Sequence, residues 1–314
     1  IAVARAAGIV LTWDDFDELS QLIPLLARVY PNGDADVNRF AAAGGPAFVF
    51  GELIRAGLMH GDLVSVARGG MADYAREPQL RDGTLVYLPG LERSADEEVV
   101  RGVDAPFESQ GGLRLLRGNL GRSLIKLSAV KPQYRSIEAP AVVVDAPQAL
   151  NKLHAAGLLP QDFVAVVRYQ GPRANGMPEL HSLAPLLGLL QNQGRRVALV
   201  TDGRLSGASG KIPAAIHVTP EAARGGPLAK VREGDIIRLD GEAGTLDVLV
   251  DAAEWAARTQ APNTAPAAND LGRNLFAINR RVVGPADQGA ISISCGPAAA
   301  DGGPWDYDCL LYTS

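Results

Sequence analysis

The chain has 314 residues, 47% hydrophobic and 21% charged, enough for two domains with full cores and typical of a globular protein. Its 30 basic and 35 acidic residues leave a formal charge of -5, and only 5% of residues are aromatic. This argues against a nucleic-acid footprint, which needs a basic surface and stacking platforms, but leaves room for a local basic pocket that takes a small anion.

The first residues, Ile1 to Ala7, read as part of a helix without an initiator Met and not as a signal peptide, so the start of the chain is expected to be missing. Asp14 or Asp15 caps a predicted helix in which Phe16, Leu19, Leu22, Ile23, Leu25 and Leu26 recur at helical spacing. Pro31-Asn32-Gly33 ends it as a turn, and further helices are predicted over 46–56 and 71–75. Between Arg81 and Gln110 glycine, proline and charge dominate, which places a domain boundary near residue 105. The expected domains are 1–105 and 106–290.

Short β-type runs follow at 113–116, 124–130, 141–144, 163–169, 197–201, 235–239 and 245–250, the last two flanking the turn Gly241-Glu242-Ala243-Gly244. Helices are predicted over 147–156, 178–193 and 251–258. Strands mixed with occasional helices point to an α+β or barrel-like domain rather than a regular βαβ repeat. Residues 259–269 read as a flexible loop, and 291–314 as a disordered or non-native tail. No apolar run approaches the roughly 18 residues of a membrane span. Cys295 and Cys309, both near the end, suggest a reducing cytoplasm and unpaired thiols rather than a disulfide framework or metal site.

Two strand-to-loop segments carry the candidate chemistry. After the apolar run Val197–Val200 comes Thr201-Asp202-Gly203-Arg204-Leu205-Ser206-Gly207-Ala208-Ser209-Gly210. Its glycines allow a backbone to approach a ligand closely, and its hydroxyls and N–H groups can bind an anion or position a reacting group. The bland alternative is a surface turn. The spacing fits neither a phosphate loop, nor the dinucleotide fingerprint, nor the Gly-x-Ser-x-Gly elbow. In the second segment, the strand 163–169 feeds Gln170-Gly171-Pro172-Arg173-Ala174-Asn175-Gly176-Met177-Pro178-Glu179-Leu180-His181. Glu179 is either a first-turn carboxylate favoured by the helix dipole or a hard-metal ligand suited to Mg²⁺. Arg173 is either solvated or meets a phosphate or carboxylate, and His181 reads as a packing residue.

Both segments resemble the C-terminal half of the iron–sulfur dehydratases that act on dihydroxy acids and sugar acids. The resemblance spans roughly residues 1 to 290. It is strongest over 168–181 and 200–222 and continues through Gly225-Gly226-Pro227-Leu228-Ala229-Lys230-Val231-Arg232-Glu233-Gly234-Asp235 and Pro24–Gly33. Asn-Gly-Met-Pro-Glu-Leu-His and Ser-Gly-Ala-Ser-Gly-Lys-Ile-Pro are closer to the 6-phosphogluconate branch than to the branched-chain amino-acid branch. The implied fold is α/β, the end of an N-terminal α/β domain followed by a swivelling β-barrel-like C-terminal domain. The implied reaction is dehydration of 6-phosphogluconate, with loss of a C2 proton and the C3 hydroxyl. By position, Ser206 would be the base and Glu179 an Mg²⁺ ligand, with Arg204, Ser209, Lys211 and Arg173 contacting substrate anions. The resemblance also implies a 4Fe-4S cluster whose ligands lie outside this chain, a homodimer, and no activity for this chain alone. The alternatives are a dehydratase for another sugar acid or for a dihydroxy-acid precursor of amino acids, or a non-catalytic anion-binding module.

Overall fold

The computed structural model describes residues 1–67, 69–207, 210–264 and 275–292. The chain divides into two compact units: Asp17–Leu113, and Ile1–Phe16 together with the residues from Arg114 onward. Two short helices open it, α1 (Ala2–Ala6) and α2 (Trp13–Leu22). The helix predicted to reach Leu26 stops at Leu22. Pro24 lacks an N–H and disfavours helical geometry at Ile23, and Leu25, Ala27 and Val29 instead form isolated bridges to Glu108, Val100 and Ala35.

The smaller unit is built around α3 (Val37–Ala42) and α4 (Gly45–Arg55). The first escaped sequence reading, although Asp36 caps it by accepting from the Arg39 N–H at 2.8 Å. The second matches expectation and buries Phe48 against Ala35, Val99 and Val100. The helix expected over 71–75 is a 3-10 turn, Gly70–Ala75. A hairpin was missed as well: β1 (Arg76–Arg81) pairs with β2 (Thr84–Pro89) through Asp82-Gly83, both at positive φ. Asp-Gly is a favoured two-residue hairpin turn, but the surrounding charge hid the strand alternation.

The larger unit is a closed eight-stranded barrel in the order β10-β3-β4-β8-β7-β6-β5-β9. Its strands are β3 (Leu113–Gly118), β4 (Gly121–Lys126), β5 (Ser136–Val144), β6 (Phe163–Val167), β7 (Val197–Thr201), β8 (Ala214–Thr219), β9 (Ile236–Asp240) and β10 (Thr245–Val248). β5 to β8 run parallel, and β9 returns antiparallel to β5 and β10. The barrel-like expectation therefore holds, as does the α/β class.

Two helices, α5 (Pro147–Ala155) and α7 (Ala184–Asn192), lie outside the parallel strands. Val164, Val166, Ala198 and Val200 point into the barrel core, while Phe163, Ala165, Val197 and Leu199 pack on Leu150, Leu187 and Leu190 of those helices. This is why β6 and β7 are apolar at every position: strands covered on both faces lose the period-2 alternation. β9, with one face in solvent, keeps it. Among the described residues no helix is long and apolar enough to cross a membrane. The loop expected over 259–269 falls partly, and the tail over 291–314 with both cysteines almost wholly, outside the described residues.

Candidate active site

β6 and β7 are neighbouring parallel strands, so the loops leaving their carboxyl ends emerge side by side. Such ends are where open and closed α/β folds place ligands. The predicted helix over 178–193 begins later than expected. A short α6 (Pro172–Asn175) comes first and ends at Gly176 in the left-handed region. Residues 177–180 belong to no helix, Met177 also lying at positive φ, and the next helical turn starts at His181, which is exposed rather than packed. Glu179 is therefore not a first-turn residue stabilised by a helix dipole. It forms a parallel bridge with Arg204 on the other loop.

That bridge brings three predicted residues together. The Leu180 N–H donates to the Arg204 carbonyl at 3.0 Å, and Arg204 Nε donates to the Met177 carbonyl at 3.0 Å. Arg204 Nη1 lies 3.1 Å from Glu179 Oε2, and the Ser206 N–H donates to Glu179 Oε1 at 2.8 Å. One carboxylate thus holds both the cation and the backbone of the serine. Arg173 is exposed and joins none of these contacts, its own N–H being taken by Glu221 at 3.0 Å. Lys211 is exposed, and its carbonyl accepts from Gln191 Nε2 at 3.1 Å. Ser209 lies outside the described residues.

Beneath this tip are residues the sequence reading did not single out. Asp202 is fully buried and accepts from the Gln170 N–H at 2.8 Å and the Ala222 N–H at 3.0 Å, tying the β6 and β7 loops and the segment after β8 to one carboxyl group. Burial pushes its pKa up to about 6, the nearby Glu221 charge adding to the rise and the two N–H bonds opposing it. Glu221, also buried, accepts from the Arg173 and Ala174 N–H groups and pairs with Arg224. Arg168 and Asp145 form a buried ion pair at 2.8 Å at the carboxyl end of β5.

His217 sits in β8 at φ +60, a costly geometry for a non-glycine residue. The β4–β8 register shifts there, as at a bulge. Its N–H donates to the Gly203 carbonyl at 2.9 Å and its ring faces Trp13 at 6.4 Å. Burial, helped by the Arg204 charge, pulls its pKa down to about 4, so the imidazole is neutral at pH 7.

Among the described residues of the loop tip, the Glu179 carboxylate keeps acceptor capacity beyond its bonds to Arg204 and Ser206. A carboxylate has about four acceptor positions, and two are used, so it fits as a single ligand of a hard cation such as Mg²⁺. Among the described residues no group of three or more His, Cys, Asp or Glu side chains is arranged to hold a metal ion. The described residues include no cysteine, so they do not fit the thiolate ligation an iron–sulfur cluster needs.

Two converging strand-end loops of the closed barrel thus bring a serine backbone, a carboxylate and a cation together at one polar tip. Residues 98–290 match the family model "Dihydroxy-acid/6-phosphogluconate dehydratase C-terminal", and residues 1–74 match the corresponding N-terminal model. The chain belongs to this dehydratase family. It is 54% identical over 294 residues to a phosphogluconate dehydratase of Pseudomonas aeruginosa, covering 94% of this chain and 48% of that protein. It is 52% identical over 295 residues to the Escherichia coli phosphogluconate dehydratase, covering 94% and 49%. A dihydroxy-acid dehydratase of Metallosphaera sedula is 34% identical over 296 residues, covering 93% and 50%. The chain spans about half the length of the curated relatives it matches.

Proposed function

We propose that this chain carries the proton-abstracting loop of a hydro-lyase that converts 6-phospho-D-gluconate to 2-dehydro-3-deoxy-6-phosphogluconate, in the Entner–Doudoroff pathway. Identity of 50–54% to four phosphogluconate dehydratases against 34% to a dihydroxy-acid dehydratase favours the phosphorylated sugar acid. The observation that carries the reading is the Glu179 carboxylate bonded to both the Ser206 N–H and Arg204.

In this reading Ser206, as an alkoxide, removes the C2 proton of the substrate, the C3 hydroxyl takes up a proton and leaves as water, and the resulting enol tautomerises, gaining a proton at C3, to the 2-keto product. The bond from its N–H to Glu179 fixes the loop so that the hydroxyl is presented without reorganisation. Arg204, exposed at the tip, would meet the substrate carboxylate, and Arg173, Lys211 and Ser209 are candidates for the phosphate. Glu179 would supply one ligand to Mg²⁺, whose charge favours the negative charge that develops on the substrate carboxylate. The 4Fe-4S cluster implied by the resemblance has no ligand among the described residues, and no step is derived through it. The same reading takes a homodimer as the assembly and the cytoplasm as the compartment, in keeping with two cysteines in 314 residues.

The test is Ser206→Ala in the full-length enzyme, assayed on 6-phosphogluconate, gluconate and a dihydroxy acid. Loss of a general base is expected to lower kcat/KM by roughly 10²–10⁴ with the thermal midpoint unchanged. Activity within about tenfold of the parent would remove Ser206 as the base, and faster turnover of another acid would reassign the substrate.

A further inference from the structure

β8 alternates between the two faces of the barrel wall until it reaches His217. Ala215 and Val218 both face the core inside the barrel, while Ala214 and Ile216 face the apolar cluster outside it. Two residues, Ile216 and His217, thus lie between successive inward positions where a regular strand has one. The partner strand shows the same excess: Arg122 opposes Thr219 and Leu124 opposes Ile216, so Ser123 alone spans His217 and Val218. A bulge of this kind re-aims a side chain, and bulges are frequent beside active sites. The re-aimed residue lies against the candidate loop. The His217 N–H holds the Gly203 carbonyl at 2.9 Å, and Leu205 packs on the same outer cluster as Ile216. The Arg204 cation is close enough to help keep the ring neutral. Trp13 covers one side of the imidazole, which stays partly exposed. Among the described residues every hydrogen bond of His217 is made by its backbone, its carbonyl accepting from the Thr219 hydroxyl at 2.9 Å, and the ring nitrogens have none. Packing on Trp13 alone would not call for two unmet polar atoms. Glycine would adopt φ +60 without strain, so a side chain kept there points to a use for it.

We propose that the bulge in β8 presents the His217 imidazole to the sugar acid as the hydrogen-bonding partner of a hydroxyl that does not react, at C4 or C5. The inference rests on the functional reading above. A neutral imidazole offers one donor and one acceptor, which matches a hydroxyl, itself both donor and acceptor. The anionic ends of the substrate have a better partner in the guanidinium next to it. His217 thereby reads the carbon chain between those ends, and it does so from the barrel wall rather than from the loop that carries Ser206.

The test compares His217→Gly and His217→Asn with the parent in the full-length enzyme, on 6-phosphogluconate and on its 4-deoxy and 5-deoxy analogues. Both replacements suit a left-handed backbone, so neither adds strain at φ +60. His217→Gly is expected to lower kcat/KM for 6-phosphogluconate by about 10- to 10²-fold, most of it as a raised KM. On one of the two deoxy analogues parent and His217→Gly should agree within about threefold, because the hydroxyl that the ring would meet is gone. His217→Asn, which keeps a donor and an acceptor, should recover part of the loss on 6-phosphogluconate. An equal loss on all three substrates would mean that His217 acts only through the Gly203 loop, and the inference fails. It fails too if the kinetics stay at the parent's values while the thermal midpoint falls, since the ring then serves only to pack on Trp13. Should His217→Gly not fold, His217→Asn and His217→Ala carry the same comparison. A parent enzyme without turnover of 6-phosphogluconate would overturn the functional reading, whereas turnover undiminished in His217→Gly overturns only the role of His217.

Discussion

Replacing Asp202 with Asn separates its two duties, carrying charge and accepting two N–H bonds. In the folded protein its pKa is raised from 3.8 to about 6. The sign is therefore opposite to that of a salt-bridged aspartate. Between these two values the native state binds more protons than the unfolded chain, so stability falls as pH rises through the window. A shift of about 2 units corresponds to about 3 kcal/mol lost by the time the carboxyl is fully ionised. Asn removes that penalty but has only one acceptor oxygen, so either the Gln170 or the Ala222 N–H is left buried and unpaired, at a cost of about 1–3 kcal/mol. The two effects nearly cancel at pH 7.5, while at pH 4 only the loss remains.

Urea unfolding of parent and Asp202→Asn across pH 4 to 7.5 reads this directly, because the difference between the two proteins removes the titration of every other group. The variant is expected to be less stable by about 1–3 kcal/mol at pH 4, and to close most of that gap by pH 7.5. A difference that is flat with pH, or that widens as pH rises, would refute the assignment of the raised pKa to Asp202.

Two further substitutions probe the same loops. Gly203→Ala would place a Cβ 2.8 Å from Gln170 Cβ and 2.9 Å from Leu180 Cδ1, so a loss of about 1–3 kcal/mol in chemical unfolding is expected, with no loss meaning that the loops give way freely. Glu179→Gln should change stability by less than about 1 kcal/mol, because its ion pair with Arg204 is half exposed, yet reduce kcat of the full-length enzyme by about 10²-fold; a large stability loss with normal kcat would make the residue structural only.

The barrel was legible where burial leaves a chemical trace. β6 and β7 were read as buried strands because every position is apolar, and β9 and β10 because a glycine turn separates two short runs. The hairpin at Arg76–Pro89 was not, since its strands are largely exposed and carry Arg, Glu and Pro in place of an apolar face. At the site, Ser206, Arg204 and Glu179 stood out because they share short glycine-rich loops, although their contact spans 27 residues of sequence. Asp202, Glu221 and His217 left no such trace. Asp202 reaches Gln170 across 32 residues. Their roles exist only once the barrel has closed. His217 is a further case, since nothing in Ala-Ile-His-Val announces a positive φ within a strand.

The site grades from fixed to adjustable along its own loops. At the base, β6 and β7 are buried on both faces, and Asp202 binds two backbone N–H groups where water does not compete. A buried bond of this kind is expensive to leave unmade, so the loop origins are held even though the ionised carboxyl destabilises the fold. At the tip, the same chemistry is repeated by Glu179, which also gathers a backbone N–H and a cation, but half exposed to solvent. There the pair is worth little to stability and can exchange partners as charge arrives. A buried carboxylate bound only to backbone thus stands below a half-exposed one shared between a backbone N–H and a cation. With the destabilising group at the base and the exchangeable one at the tip, the loop origins are held while the Glu179–Arg204 pair stays open to exchange.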